Sequence, residues 1–178
     1  MPPVISLIGK ANSGKTTFLE KLIPALVAGG LRVGTIKHHV HAFDMDRPGK
    51  DTWRHKKAGA SVVALSSPSG LGLIRDTGHD LGLDELVGQY FSDVDLVLTE
   101  GYKSGPAPKV EVWRAAAHRE PLANRDQTWL AMVSDLPLDC GLPLFGLDDA
   151  EGLARFLIDT FLANKHGKAL AEKMGDTR

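Results

Sequence analysis

The run Gly9-Lys10-Ala11-Asn12-Ser13-Gly14-Lys15-Thr16 matches G-x-x-x-x-G-K-[ST] at every fixed position, between an apolar stretch and a helical one. Val4 to Ile8 reads as a short buried strand. Phe18, Leu19, Leu22, Ile23, Leu26 and Val27 recur at helical spacing, which predicts a helix over Thr17 to Val27. Gly9 and Gly14 let the backbone curl so that successive N–H groups face one anion, and the helix N-terminus adds a favourable dipole. Lys15 can then reach the β and γ phosphates of a nucleotide, and Thr16 offers its hydroxyl to Mg²⁺. The implied ligand is a Mg–nucleoside triphosphate cradled by Gly9, Lys10, Ala11, Asn12, Ser13, Gly14, Lys15, Thr16 and Thr17.

The rest of the chain alternates strands with helices. Gly29-Gly30 supplies a stop for the first helix, and Pro24 is expected to bend it or end it early. Leu31 to Lys37 reads as a second strand, so the chain opens with a β-α-β unit. A short helix is predicted over Asp51 to Ala58, a hairpin from Ser61–Ser66 and Gly70–Arg75, and a helix over Leu83 to Phe91. Val94 to Thr99 reads as a buried strand and Val110 to Arg114 as a half-exposed one. Trp129 to Val133 and Leu142 to Phe145 are two more short strands, and Asp148-Asp149 opens an amphipathic helix through Phe161. The order predicts an α/β three-layer sandwich with a mainly parallel sheet, the P-loop NTPase fold. One domain is expected over 1–164, followed by a polar, frayed tail over 165–178.

Charge and composition narrow the partners. The 178 residues suffice for a single core that buries roughly 70% of its unfolded surface. Twenty-one basic and 22 acidic residues leave a net charge of −1, so no global field draws nucleic acid or an anionic membrane. No apolar run approaches the roughly 18 residues of a bilayer span, and Met1 to Gly9 reads as a strand rather than a signal peptide. A single cysteine, Cys140, fits a reducing compartment, and a cytoplasmic protein is expected.

A second layer of residues follows from sheet geometry. Ligands of parallel sheets sit outside the carboxyl ends of the strands. Asp95 and Glu100 flank one strand about 16 Å apart at ~3.3 Å per residue, so only Glu100 can face the phosphates and Mg²⁺. Lys15 and Glu100 are therefore the catalytic candidates. Lys37-His38-His39-Val40-His41 also follows a strand, and its three histidines read as a zinc site, a polar loop near the triphosphate or a partner's ligand, or plain surface. Asp44 and Asp46 read either as holders of a Mg-bound water or as solvated loop charge, and Gly49-Lys50-Asp51 as a second anion-contacting turn. The guanine signature N-K-x-D is absent, which leaves the base open. Asp135 could accept from the N1 and N2 donors of guanine, or could cap a turn. No water-positioning glutamine or arginine finger is identifiable, so slow hydrolysis is expected.

Taken together, GKANSGKTT at Gly9–Thr17, KHHVHAFDMDRPGKDTWRHKKAGA at Lys37–Ala60, DLVLTEGYK at Asp95–Lys103 and PKVEVWR at Pro108–Arg114 resemble the MobB family of GTP-binding proteins of molybdopterin-guanine dinucleotide biosynthesis. The resemblance spans most of residues 4 to 160. It implies a homodimer that binds GTP and Mg²⁺, hydrolyses GTP weakly, and assists the enzyme that attaches GMP to the molybdenum cofactor. It places Mg²⁺ near Thr16 and Glu100 and further anion or partner contacts on Lys37, His38, Asp44, Asp46 and Lys50. Two other classes stay open. Lys10 stands where MinD-like dimeric ATPases carry a lysine that crosses to the partner's nucleotide, though Ala11 and Asn12 replace their two glycines. A small-molecule kinase or ligase would use the His38 to Asp51 loop as its acceptor site.

Overall fold

The computed structural model describes residues 1–39 and 43–163. Where one domain is expected over 1–164, the chain gathers into two compact units, one of residues 1–38 with 87 onward and one of residues 39–86. The tail expected to fray, 165–178, lies outside the described residues.

The first unit is built on β1 (Val4–Ile8), α1 (Lys15–Ala28) and β2 (Val33–Lys37), and the second holds α2 (Asp51–Lys57), β3 (Val62–Ser67) and β4 (Gly70–Arg75). The chain returns to the first unit within α3 (Leu83–Tyr90) and continues through β5 (Leu96–Glu100), β6 (Lys109–Trp113), β7 (Trp129–Ser134), β8 (Leu144–Gly146) and α4 (Ala150–Phe161). The six-stranded sheet runs β2-β5-β1-β6-β7-β8, with every pairing parallel. That order sets β1 between β5 and β6, so the loop leaving β1 is flanked by the carboxyl ends of both.

Alternation along the strands gives the sheet two unlike faces. One carries Ile5, Leu7, Leu96, Leu98, Val110, Val112, Ala131 and Val133, packed in one core with Phe18, Leu22 and Leu26 of α1 and Leu153, Ala154 and Leu157 of α4. Burying each such leucine contributes about 1.5–3 kcal/mol, so this face holds the layers together. α1 ends as its glycines predict: Gly30 at φ +85° donates to Val27 O at 2.9 Å and Leu31 N to Leu26 O at 3.2 Å. Asp149 caps α4 by accepting from Gly152 N at 3.0 Å. Pro24 does not end its helix, which runs four residues past it. Pro24 and Glu20 lie on the exposed side, where water can take the carbonyl that proline leaves unpaired, while Leu22 and Leu26 are anchored in the core.

The opposite face buries polar side chains beside the apolar Ile8, Val97, Met132 and Trp113. Ser6, Thr99, Lys109, Glu111 and Ser134 are each at most 4% exposed. Thr99 Oγ1 donates to Ser6 Oγ at 2.9 Å. Lys109 Nζ donates to Gly105 O at 2.6 Å, Ala107 O at 3.2 Å and Thr128 Oγ1, and it sits 5.3 Å from the centre of the Trp129 ring. Glu111 accepts from Leu122 N and from Trp129 Nε1, with the Arg125 guanidinium 3.6 Å away. β6 is thus buried at all five positions, against the half-exposed strand that its alternation predicts. Its two charges are folded inward because every face of this interior strand is covered and each charge has partners. On the same face, Phe91 abuts β2 so closely that a Cβ on Gly34 would lie 2.4 Å from its ring.

In the second unit β3 and β4 form an antiparallel hairpin in the register Val62↔Arg75 to Ser67↔Gly70. Lys56 of α2 ties to it through Ala60 O at 3.0 Å and the Asp76 carboxylate at 2.6 Å. Val62, Leu65, Leu71 and Leu73 of the hairpin are exposed.

Candidate functional site

The phosphate loop depends on two glycines. Gly9 takes φ +152°, and a Cβ there would lie 2.4 Å from Val112 O and 2.6 Å from Ser13 Oγ. Gly14, at φ +93°, is the left-handed residue from which α1 springs, and no atom lies within 4 Å of its missing Cβ. The first bond of the helix is Phe18 N to Gly14 O at 2.9 Å, so the N–H groups of Lys15, Thr16 and Thr17 have no intrahelical acceptor. Ser13 Oγ is buried and has no protein hydrogen-bond partner. These orphan donors around a curled backbone fit an anion.

Above the loop lies an open cavity of about 510 Å³, within the range that holds nucleotides. Ala11, Asn12, Gly14, Lys15, Thr16 and Thr17 form its floor, Lys37 and Glu100 come from the ends of β2 and β5, and Arg114 follows β6. Glu100 is paired in register with Leu7 and Lys37, and parity turns its side chain to the face that α1 covers. Thr16 Oγ1 donates to Glu100 Oε2 at 3.0 Å, and Lys37 Nζ lies 3.4 Å from Glu100 Oε1. The carboxylate is only 16% exposed. Asp95 sits at the other end of β5, where its Oδ2 accepts from Arg32 N at 2.9 Å.

Lys15 Nζ folds back over the loop and donates to Lys10 O at 2.8 Å and Gly9 O at 3.3 Å. Burial pushes its pKa below the ordinary lysine value; Glu100 opposes that shift, while Lys103 and Lys37 reinforce it. A phosphate at the cavity floor would restore the counter-charge.

The segment after β6 braces the crest of the loop. Lys10 Nζ donates to Glu120 O at 2.8 Å, His118 Nε2 meets Ala11 O, and Arg114 Nη2 donates to Asn12 O at 3.3 Å. Lys10, the residue compared with a partner-crossing lysine, therefore engages its own chain. Arg114 lines the cavity and motif reading misses it; the available signal was its place at the carboxyl end of the predicted strand Val110 to Arg114, and the structure ends that strand one residue earlier. Asp135, one residue past β7, accepts from Ala115 N through Oδ1 at 2.8 Å. Asp44 and Asp46 belong to the second unit: Asp44 is exposed, and Asp46 Oδ1 accepts from Arg47 N at 2.7 Å while Oδ2 is shielded without a partner. Lys50 precedes α2 in the same unit. The His38 ring lies against that of Tyr102, centres 4.6 Å apart and planes tilted by 35°. His41 lies outside the described residues, and among those described no three His, Cys, Asp or Glu side chains cluster as metal ligands.

A parallel sheet whose central strand feeds a G-x-x-x-x-G-K-T loop and helix, with a strand-end acid on the loop's threonine, defines a P-loop protein of the NTPase fold. Residues 4–135 match the family model MobB, molybdopterin guanine dinucleotide synthesis protein B, and the chain belongs to that family. It is 38% identical over 166 residues to a molybdopterin-guanine dinucleotide biosynthesis adapter protein of Haemophilus influenzae, covering 93% of this chain and 92% of the relative. The Escherichia coli adapter protein is 38% identical over 163 residues, with 89% and 93% covered. Among solved structures, Bacillus subtilis MobB superposes with a TM-score of 0.71 at 30% identity, covering 89% of this chain and 98% of that one. A MobB homologue from Bacillus stearothermophilus gives 0.64 at 29% identity, with 89% and 97% covered.

Proposed function

We propose that this chain is a GTP-binding accessory protein with weak GTPase activity that assists the enzyme attaching GMP to the molybdenum cofactor. The observation that carries the reading is the Thr16–Glu100–Lys37 array beside a loop of orphan N–H groups. In this reading the N–H groups of Gly9 to Thr17 hold the phosphates and Lys15 neutralises the β and γ groups. Thr16 and Glu100 would hold Mg²⁺, which supplies charge neutralisation at the phosphates when bound. Within the second unit, the shielded Oδ2 of Asp46 is an acceptor without a partner among the described residues. Asp135 would select guanine, since the acceptor left beside its bond to Ala115 can meet the base's N–H donors.

The adapter names of the two bacterial relatives support the accessory role. A homodimer is supported by the β3–β4 hairpin, whose exposed Val62, Leu65, Leu71 and Leu73 suit a second copy. A cytoplasmic location agrees with the described helices, none of which is long and apolar enough to cross a membrane. Ala11 and Asn12, in place of the two glycines of the MinD-like loop, disfavour that reading. The test is affinity for GTP and ATP with and without Mg²⁺: Mg²⁺-dependent binding with GTP preferred is expected, and equal or absent binding overturns the reading.

A further inference from the structure

We infer that Arg114 reads the terminal phosphate of the bound nucleotide, making the site selective for triphosphate over diphosphate. The inference rests on the proposed nucleotide site and adds to it a cation supplied by the chain itself.

Three observations carry it. First, the backbone of Arg114 is fixed in place. It follows the buried strand β6, which pairs with β1 through Ile8↔Glu111 and so carries Arg114 past the end of β1, alongside the loop. Arg114 O accepts from Ala117 N and His118 N, each at 3.0 Å, and the next residue, Ala115, is anchored to Asp135. Second, the side chain is exposed, and its guanidinium donates to the loop carbonyl of Asn12 at 3.3 Å from the wall of the cavity. A long, exposed side chain on a rigid base can exchange that neutral carbonyl for a phosphate oxygen at little cost in order, and charge-assisted guanidinium–phosphate bonds are the stronger ones.

Third, the charges of the cavity favour it. Its lining cations are Lys15, Lys37 and Arg114, and its lining acid is Glu100. Lys37 lies 3.4 Å from Glu100, so that pair largely cancels. A Mg–triphosphate carries a net charge of about −2, for which Lys15 and Arg114 remain among the lining cations, with Lys103 near enough to act on Lys15. Lys15 reaches from the floor and Arg114 from the wall, which gives the terminal phosphate a partner that a diphosphate lacks.

The test compares GTP with GDP, and ATP with ADP, binding to the full chain with Mg²⁺ for wild type, Arg114→Ala and Arg114→Gln. Gln can still donate to Asn12 O but has no charge. Both variants should lose about tenfold or more of triphosphate affinity while diphosphate affinity holds, collapsing the preference. Equal loss for triphosphate and diphosphate, or rescue by Gln, would mean that Arg114 only props the loop, and no loss would remove it from the site. If ATP is bound and GTP is not, the guanine reading fails while the ATP/ADP ratio still judges Arg114. Failure of wild type to bind any of the four overturns both.

Discussion

Thr16 and Glu100, 84 positions apart in the chain, are joined by a 3.0 Å hydrogen bond from the threonine hydroxyl to Oε2. The bond spans the step from the phosphate loop to the carboxyl end of the neighbouring strand, where a divalent cation would need both oxygens. Asp95 lies at the far end of that strand and holds Arg32 N instead. Glu100→Gln should weaken Mg²⁺-dependent GTP binding or turnover with little change in fold, and Asp95→Asn should leave both near wild type. A Mg²⁺ titration of each variant decides it; a defect in Asp95→Asn with a normal Glu100→Gln contradicts the assignment.

Asp135 anchors Ala115 and, in the proposed reading, also selects guanine; one substitution separates the two. Asp135→Asn keeps a carbonyl oxygen for Ala115 N but turns the other acceptor into a donor that repels the guanine N–H groups. GTP should weaken by about 1–3 kcal/mol while ATP is unchanged. Competition binding that shows equal loss, or none, would leave Asp135 as the anchor of Ala115 alone.

The pKa of Lys15 is held below the ordinary lysine value in the free protein, first by burial. A bound phosphate raises it, so between the two values binding must take up a proton, and affinity falls as pH rises through that alkaline window. Lys15→Arg, which keeps its proton throughout, should remove this component and flatten the profile in that window. Parallel pH profiles for wild type and Lys15→Arg would contradict the assignment of the proton to Lys15.

Glu111 tests the buried polar face. Its removal leaves Leu122 N, Trp129 Nε1 and the Arg125 guanidinium without their acceptor at a position only 1% exposed. Glu111→Ala should cost about 3–5 kcal/mol of stability in urea unfolding. A loss below about 1 kcal/mol would mean that the segment it holds rearranges freely.

Much of the fold was legible because local chemistry and global order agree. Phe18, Leu22 and Leu26 mark α1 by spacing, Gly30 ends it, and Asp149 caps α4. The positions of Glu100 and Asp95 followed from strand direction alone. Illegible was whatever depends on which strands are neighbours. Lys-Val-Glu-Val-Trp reads as a half-exposed strand, yet in mid-sheet its lysine and glutamate are enclosed by Gly105, Thr128, Leu122 and Trp129, none of which the pattern announces. Arg114 was missed for the same reason, because only the β1–β6 pairing brings it to the cavity. Pro24 shows propensity overridden by packing on both sides of it.

The central claim is that Gly9 to Thr17 binds the triphosphate of GTP, and the most direct measurement is calorimetric titration of GTP with Mg²⁺ into wild type and Lys15→Ala. Lys15 is a counter-charge outside the apolar core, so the variant should fold as wild type does by circular dichroism while tight binding disappears. Undiminished GTP affinity in the folded Lys15→Ala protein would contradict the account.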